Sequence, residues 1–528
     1  MTITKRTWII HPFLIGLYPV ALLYIRNLPT VAPGEVLIPG LLVVAITLAV
    51  WSAFRWLWND GIRAALVASS VWVLFFSFAT GVRLAERAGI GGDILGRERI
   101  VLAVEILAGA AVVAIVWRLP GLARALHGGF NVAAITLVGL SLCSATMQAT
   151  AKGSIRPPSV TPPAVPATQP RASLPPDIYY VVLDAYGRSD VLDEFYGFDN
   201  EPFLNRLEQR GFYVARRSTA NYCQTALSLS STLNLRYHDD LAGSPSQNRL
   251  PLKSLIANNA VVRALRPHGY RFVSFSSGFQ ITEMPGADAY HTPRANLGEF
   301  GSMLVAKTPL WLMLGLKEQR DPHRMHRERI LHLFDRLPAV ADPDRPTFTF
   351  AHVLSPHPPF VFDADGGDTS GQEREYSLYD GDGWIGLEGH GDSDDYARRY
   401  RAQITYITRR VEEVVDRILQ TSKTPPIIII QGDHGPASHF AMSSERPQDL
   451  RERMAILNAY YLPDGGIADL DPTITPVNSF RVVLDRYFGS HLGRLEDRNY
   501  YSSYPAPYVF TDVTGQVEDS RPRSDRDD

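Results

Sequence analysis

Four short segments carry residue types that could hold a cation and activate a hydroxyl group. Asp184 follows the apolar run Ile178–Leu183, and Gln431-Gly-Asp433-His434-Gly follows the run Ile427–Ile430. His357, in Ser355-Pro-His-Pro-Pro-Phe, follows a third run, Phe348–Val353. Two carboxylates and two imidazoles form a donor set suited to a borderline divalent ion such as zinc or manganese. Such an ion with an open position activates a hydroxyl by lowering its pKa and holds a phosphoryl oxygen. The hydroxyl would come from Asn221-Tyr-Cys-Gln-Thr225-Ala-Leu-Ser228, where spacing alone does not separate Thr225 from Cys223 or Ser228. Any one of these residues also suits a turn, a cap or a closely packed helix start. Their shared place after apolar runs is what points to chemistry.

Positioning them requires a particular scaffold. The runs Ile178–Leu183, Phe272–Phe275, Phe348–Val353 and Ile427–Ile430 are short and mostly apolar, as strands buried on both faces are. Helical patterns lie between them. Asn200 can cap a helix with Pro202 in its first turn and Gly211 at its end. Tyr400–Leu419 reads as a long amphipathic helix feeding the Ile427 strand. Alternating strands and helices predict an α/β domain with a mostly parallel central sheet. Sites in such sheets form beyond the carboxyl ends of the strands, which is where these residues fall.

The N-terminal part is different. Five apolar stretches, Trp8–Ile25, Val36–Phe54, Ala64–Val82, Ile100–Trp117 and Phe130–Met147, are each near the roughly 20 residues that cross a bilayer as helix. They predict an all-α transmembrane region over residues 1–150. The first stretch, preceded by Lys5 and Arg6, reads as an anchor and not a signal peptide, because no small-residue cleavage site follows it. Residues 1–150 carry eleven Lys and Arg against six Asp and Glu, whereas the remainder carries 41 against 49. With the N-terminus inside, basic residues divide six inside to five outside, so charge barely orients the spans. Glu105, inside the fourth stretch, is expected near the interface, paired with Arg99 or water. A Pro-rich linker is expected over 151–176; Ile155–Pro176 holds eight prolines. The catalytic domain would run over 177–515, with a charged, disordered tail over 516–528. The composition, 45% hydrophobic and 20% charged, excludes a wholly disordered chain, and the acidic C-terminal part offers no footprint for nucleic acid. Cys143 and Cys223, one in a span and one in the soluble part, are not expected to pair, and no Cys/His zinc pattern is present.

Residues 175–465 resemble the alkaline phosphatase/sulfatase superfamily, in its membrane-anchored branch. Asp177–Asp184 resembles its first strand with a metal-binding aspartate, and Glu201–Phe212 the helix that follows. Thr225-Ala-Leu-Ser228 resembles the nucleophile turn, and Gln431-Gly-Asp433-His434-Gly the distal metal-binding pair. The five stretches plus this domain are similar to lipoteichoic acid synthases and phosphoethanolamine transferases, whose catalytic domains lie outside the cytoplasm. The resemblance implies a divalent metal held by Asp184, Asp433, His434 and Thr225, with Thr225 also the nucleophile. His357 would steady the phosphoryl group or protonate the leaving oxygen. A second ion would look to His390 and His439, in surroundings that match no motif. Two departures weigh against sulfate ester hydrolysis: Cys223 lacks the Pro and Arg of the Cys-x-Pro-x-Arg signature, and Ala185 stands where sulfatases usually carry a second acid.

The expected function is a multi-pass membrane phosphotransferase that moves a phospho-alcohol group from a lipid donor to an envelope glycan or lipid acceptor. A hydrolase with water as acceptor shares its first steps, and a non-enzymatic assembly protein is the remaining class. Tyr186 is expected to line the pocket or to pack. Arg188, Arg294 and Lys307 are expected at the surface or on a phosphate head group. The Trp- and Leu-rich run Leu310–Leu316 is expected in the core, on the membrane surface or against the spans.

Overall fold

The computed structural model describes residues 8–27, 31, 34–91, 94–151, 175–293, 298–313, 322–369, 393–439 and 447–519. Most of the expected linker, residues 520–528 of the tail, His390 and Arg294 lie outside them; residues 516–519, expected in the disordered tail, instead complete the helix Thr514–Asp519, where Val517 packs into an apolar cluster. The chain divides into two compact units: Met1–Gly153 together with Leu297–Arg320, and Ser154–Asn296 together with Asp321–Asp528.

In the first unit, residues 8–151 form five helices, α1 (His11–Arg26), α2 (Gly34–Trp58), α3 (Gly61–Arg87), α4 (Ile94–Arg118) and α5 (Pro120–Ala151), and residues 298–313 add the short helices Gly298–Val305 and Leu310–Met313. Each of the five apolar stretches falls on a helix, apart from Trp8–Ile10 ahead of α1, but among the described residues four helices, not five, are long and apolar enough to cross a membrane. The 16-residue α1, with Pro19 inside it, falls short. Hydropathy also misplaces the ends, because a helix continues past its apolar stretch to a cap. Asp60 accepts hydrogen bonds from the Ile62 and Arg63 amides at the start of α3, and α5 begins at Pro120, ten residues before its stretch. Leu37, Leu41, Leu42, Ile106 and Leu107 point outward on α2 and α4, as side chains facing lipid do. Polar groups inside the bundle are paired. His11 bonds Ser69 and His127, and Trp72 donates to Thr47. Glu105 accepts from Ser77 of α3 at 3.3 Å. The segment 298–313 belongs to this unit. Phe300 is buried with Val20, Leu23, Val43 and Trp72, and Trp311 with Phe78 and Val101. Of the three readings of the Trp- and Leu-rich run, its described part, Leu310–Met313, therefore realises packing against the apolar helices through Trp311 and Leu312.

The second unit is built on seven strands: β1 (Ile178–Leu183), β2 (Tyr213–Val214), β3 (Arg271–Phe275), β4 (Ala289–His291), β5 (Thr347–Val353), β6 (Ile427–Gly432) and β7 (Asn458–Tyr461), in the order β2-β7-β6-β1-β5-β3-β4. From β6 to β4 every neighbouring pair is parallel, whereas β7 runs antiparallel to β6 and to β2. β1, β5 and β6 are buried along their whole length, which explains why they read as unbroken apolar runs instead of alternating ones. Two apolar cores flank the sheet: Tyr179, Val181 and Leu183 face the long helix Ser393–Thr421, and Ile178, Tyr180 and Val182 face the opposite layer. On the strand-to-helix connections lie α6 (Ser189–Tyr196), α7 (Glu201–Gln209) and α8 (Thr225–Asn234). Pro202 sits in the first turn of α7 and Gly211, at φ 92°, follows its end. The Asn200 side chain does not cap it and instead accepts from the Tyr186 hydroxyl.

Candidate active site

β1 lies between β5 and β6, and the three end in register: Leu183 pairs with both Val353 and Gly432. Whatever follows those residues must meet at one sheet edge. Asp184 donates its amide to the Val353 carbonyl, and the His357 amide donates to the Asp184 carbonyl at 3.0 Å. Ala185, in the left-handed region at φ 61°, turns its amide onto Asp433 Oδ1 at 3.2 Å. Gly435 lets this edge close. A Cβ there would lie 2.0 Å from the Glu452 carbonyl oxygen, so the chain after His434 passes where no side chain fits.

The buried Gln403, on the helix Ser393–Thr421, holds the His357 loop. Its Oε1 accepts from the Val361 and Phe362 amides, and its Nε2 donates to the carbonyls of Pro356 and His357, both at 3.1 Å. Replacing Gln403 with Leu leaves these backbone groups without partners. The expected result is a loss of about 1–3 kcal/mol in a denaturant titration, together with reduced turnover as His357 loses its position.

Thr225 opens α8 after Gln224, whose backbone is extended. Its Oγ1 lies 3.0 Å from His434 Nε2. His434 Nδ1 lies 3.0 Å from the Gly435 carbonyl, which can only accept, so Nδ1 carries the hydrogen and Nε2 presents a lone pair. The other two hydroxyl and thiol contenders fall away. Ser228 is buried one turn further along, and the Cys223 thiol is buried against the Ser502 carbonyl. Neither cysteine is in a disulfide.

Three lone-pair-bearing atoms in this cluster are buried without a hydrogen-bond partner: Asp184 Oδ1, Asp433 Oδ2 and His352 Nε2. His434 Nε2 stands 3.6 Å from the first and 3.4 Å from the second. His352 Nε2 lies 3.2 Å from Asp184 Oδ2, in ion-pair range but not hydrogen-bonded. Ligand atoms of Asp184, His352 and Asp433 all fall within 4.8 Å of one another. Arg453 Nη2 reaches His434 Nε2 at 3.2 Å, but no hydrogen bond satisfies the buried oxygens Asp184 Oδ1 and Asp433 Oδ2; such oxygens are costly in a dry interior, and their convergence beside two imidazoles fits a divalent cation.

The electrostatics agree. Burial, then the neighbouring Asp184 charge, pushes the Asp433 carboxyl up to about 6. Burial pushes Asp184 up as well, but the His357 imidazole, then His352, outweigh it and hold that carboxyl below its usual range. Burial, then the Arg453 guanidinium, keeps His434 well below an ordinary imidazole, in the neutral form that a metal needs. His357 lines the same cleft, its Nδ1 on the Pro358 carbonyl and its ring centre 6.2 Å from that of His434.

The structure therefore brings together Asp184, Thr225, His357, Asp433 and His434. It does not bring in Tyr186, which is fully buried and bonded to Asn200 and Thr408, nor Arg188, which pairs with Asp190. Lys307 is exposed in a turn of the first unit. His439 bonds Ser438 and Ser393 and is not among the clustered ligands. Three cleft residues are not evident in the sequence. His352 sits inside β5, one residue before its end, and its one signal is an imidazole within an otherwise apolar run. Arg249 and Arg453 line the cleft from segments remote in sequence, with no motif to mark them.

The solved structures most like this chain include the C-terminal periplasmic domain of EcEptC from Escherichia coli in complex with Zn, at 11% identity and TM-score 0.43, covering 70% of this chain and 99% of that one. Another is the integral membrane protein lipooligosaccharide phosphoethanolamine transferase A from Neisseria meningitidis, at 12% and 0.40, covering 90% and 94%. A third is the phosphonate monoester hydrolase of Agrobacterium radiobacter, at 14% and 0.38, covering 62% and 80%. No curated protein matches the chain. The Sulfatase family model matches residues 176–464, more than half of the chain and the whole stretch that carries the clustered residues. The chain belongs to the sulfatase family and is an enzyme of the alkaline phosphatase/sulfatase superfamily.

Proposed function

We propose that this enzyme is a membrane-anchored, metal-dependent phosphotransferase that works outside the cytoplasm. It moves a phospho-alcohol group from a lipid donor to an envelope glycan or lipid acceptor. The observation that carries the reading is Thr225 Oγ1, 3.0 Å from the His434 lone pair and next to buried carboxylate oxygens that no donor satisfies. Asp184, Asp433, His434 and Thr225 would hold the ion. A bound divalent cation would lower the pKa of the Thr225 hydroxyl and offset charge on a phosphoryl oxygen. Thr225 Oγ1, its proton already lost to solvent, attacks phosphorus as the alkoxide, the bond to the lipid alcohol breaks, and His357 gives that leaving oxygen a proton; the second step returns the same alkoxide. A covalent phosphothreonine ester remains. The acceptor hydroxyl then attacks phosphorus, His357 takes its proton, and Thr225 is released. The apolar helices of the same chain keep such a site close to lipid donors, and similarity to lipoteichoic acid synthases and phosphoethanolamine transferases supports the extracytoplasmic side.

Intact-mass measurement after an acid quench tests this directly. With bis(4-nitrophenyl) phosphate and no acceptor, the protein should gain one nitrophenylphosphoryl group that maps to Thr225. Steady release of nitrophenyl phosphate without an acceptor would assign water as the second nucleophile and make the enzyme a hydrolase. An adduct on any other residue would remove Thr225 from the mechanism.

A further inference from the structure

Three side chains on one face of the helix Ser393–Thr421 reach the three strand ends at once. Tyr396, Tyr400 and Gln403 have the spacing that lines up a helix face, and all three are fully buried. Gln403 bonds the backbone of the His357 loop. The Tyr396 hydroxyl accepts from the Ala437 amide, in the loop after His434, at 3.3 Å. The Tyr400 hydroxyl donates to the Ala185 carbonyl at 2.7 Å and accepts from the Gly187 amide at 3.4 Å, so it clasps the turn that follows Asp184. The Tyr396 and Tyr400 rings stack with centres 6.1 Å apart and 11° between their planes, and the Tyr196 ring centre lies 4.6 Å from that of Tyr400. This packing fixes where the Tyr400 hydroxyl points.

Ala185 is the residue on which the clasp acts. At φ 61° it occupies the left-handed region, which is unfavourable for a residue with a Cβ and persists only where the surroundings impose it. Its amide is on Asp433 Oδ1, and its other neighbour in the chain is Asp184, so a turn that relaxed would carry the amide off one carboxylate and swing the other. Among the described residues the Tyr400 hydroxyl is the one donor to the Ala185 carbonyl. The buried oxygens without a hydrogen bond, Asp184 Oδ1 and Asp433 Oδ2, belong to the two carboxylates that this turn joins. We propose that Tyr400 is a positioning residue of the metal pocket: its hydroxyl holds Ala185 left-handed and so sets the spacing of the Asp184 and Asp433 carboxylates. Phenylalanine would fill the same space without the clasp. The inference rests on the reading of the cleft as a divalent-cation site.

The test is a calorimetric titration of the full-length, metal-free protein with manganese(II) alone, with a melting temperature recorded for each variant. Tyr400→Phe should bind the ion about tenfold or more weakly than wild type, the scale on which metal affinity answers to groups that orient the ligands. Glycine enters the left-handed region freely, so in Tyr400→Phe combined with Ala185→Gly the turn should keep its shape unclasped, and affinity should return to within about threefold of wild type. Tyr460→Phe deletes another buried hydroxyl, bonded to Ser479 and outside the cleft lining. It should lower the melting temperature and leave affinity within about twofold, as loss of a merely structural hydroxyl does. Tyr400→Phe matching wild type in affinity overturns the assignment, and so does equal weakening in Tyr460→Phe. A double variant that binds no better than Tyr400→Phe, or that stays unfolded where Tyr400→Phe does not fold, overturns it as well. Asp184→Asn separates the two failures. If it loses the ion while Tyr400→Phe keeps it, only the role of Tyr400 falls; if it binds as wild type does, the metal reading of the cleft falls.

Discussion

Thr225→Ala is expected to lower turnover of bis(4-nitrophenyl) phosphate by roughly 10³-fold or more, the scale on which enzymes lose rate when a covalent nucleophile is removed. The fold should survive. Thr225 is the first residue of α8, its side chain faces the cleft, and its hydrogen-bond partner is His434. Deleting the hydroxyl therefore strands no buried donor and leaves the backbone of the helix start unchanged. Thr225→Ser keeps an oxygen at the same place and should keep most of the rate, whereas Thr225→Ala should bind a divalent ion more weakly without losing it. Stopped-flow assays with circular dichroism as the fold control separate these outcomes. A Thr225→Ala enzyme within about tenfold of wild type would mean that Thr225 is not the nucleophile.

The second large effect concerns Asp433. In the metal-free protein its carboxyl titrates near 6, through burial and the Asp184 charge. Metal uptake needs the carboxylate, so protons compete with the ion. Apparent affinity should fall roughly tenfold per pH unit below about 6, and activity at sub-saturating metal should fall with it. Stability of the metal-free protein runs the other way for this group. A carboxyl raised in the folded state binds more protons there than in the unfolded chain between about 4 and 6, so its contribution improves as pH falls through that window. At pH 7.5 Asp433→Asn should therefore melt above the metal-free wild type, because it buries no charge and can still accept from the Ala185 amide. It should also bind zinc or manganese about 10²-fold or more weakly. Calorimetric metal titrations at several pH values, paired with thermal melts, check both halves. Equal metal affinity in the variant would exclude Asp433 as a ligand.

Much of this site is legible in the sequence because of how parallel sheets are built. β1, β5 and β6 are buried on both faces, so each is an uninterrupted or nearly uninterrupted apolar run. The polar residues that follow such a run mark where the strand leaves the sheet. Asp184, His357, Asp433 and His434 all sit just past such an end. Thr225 is less evident: a helix start rich in small residues looks the same whether it packs or reacts. β2, β4 and β7 are two to four residues long or lie at the margin of the sheet, and lack a comparable pattern. His352 escapes the strand-end rule because it lies within β5. Arg249 and Arg453 reach the cleft only through tertiary packing, which sequence spacing does not encode. The short α1 shows the limit of hydropathy, which registers apolar composition but not where proline and caps stop a helix.

The division of the chain bears on how the enzyme can be dissected. Residues 298–313 are interior to the sequence of the catalytic half, yet Phe300 and Trp311 are buried among the N-terminal helices. The polypeptide therefore passes between the two units three times, and after a cut in the proline-rich stretch the helices α1–α5 would be held to the rest only by packing against residues 298–313. A water-soluble fragment begun near residue 175 would carry this excursion without the side chains that shelter it, leaving sticky surface to drive aggregation. Excising the excursion and rejoining its ends with a short polar bridge is the rational design for an isolated catalyst.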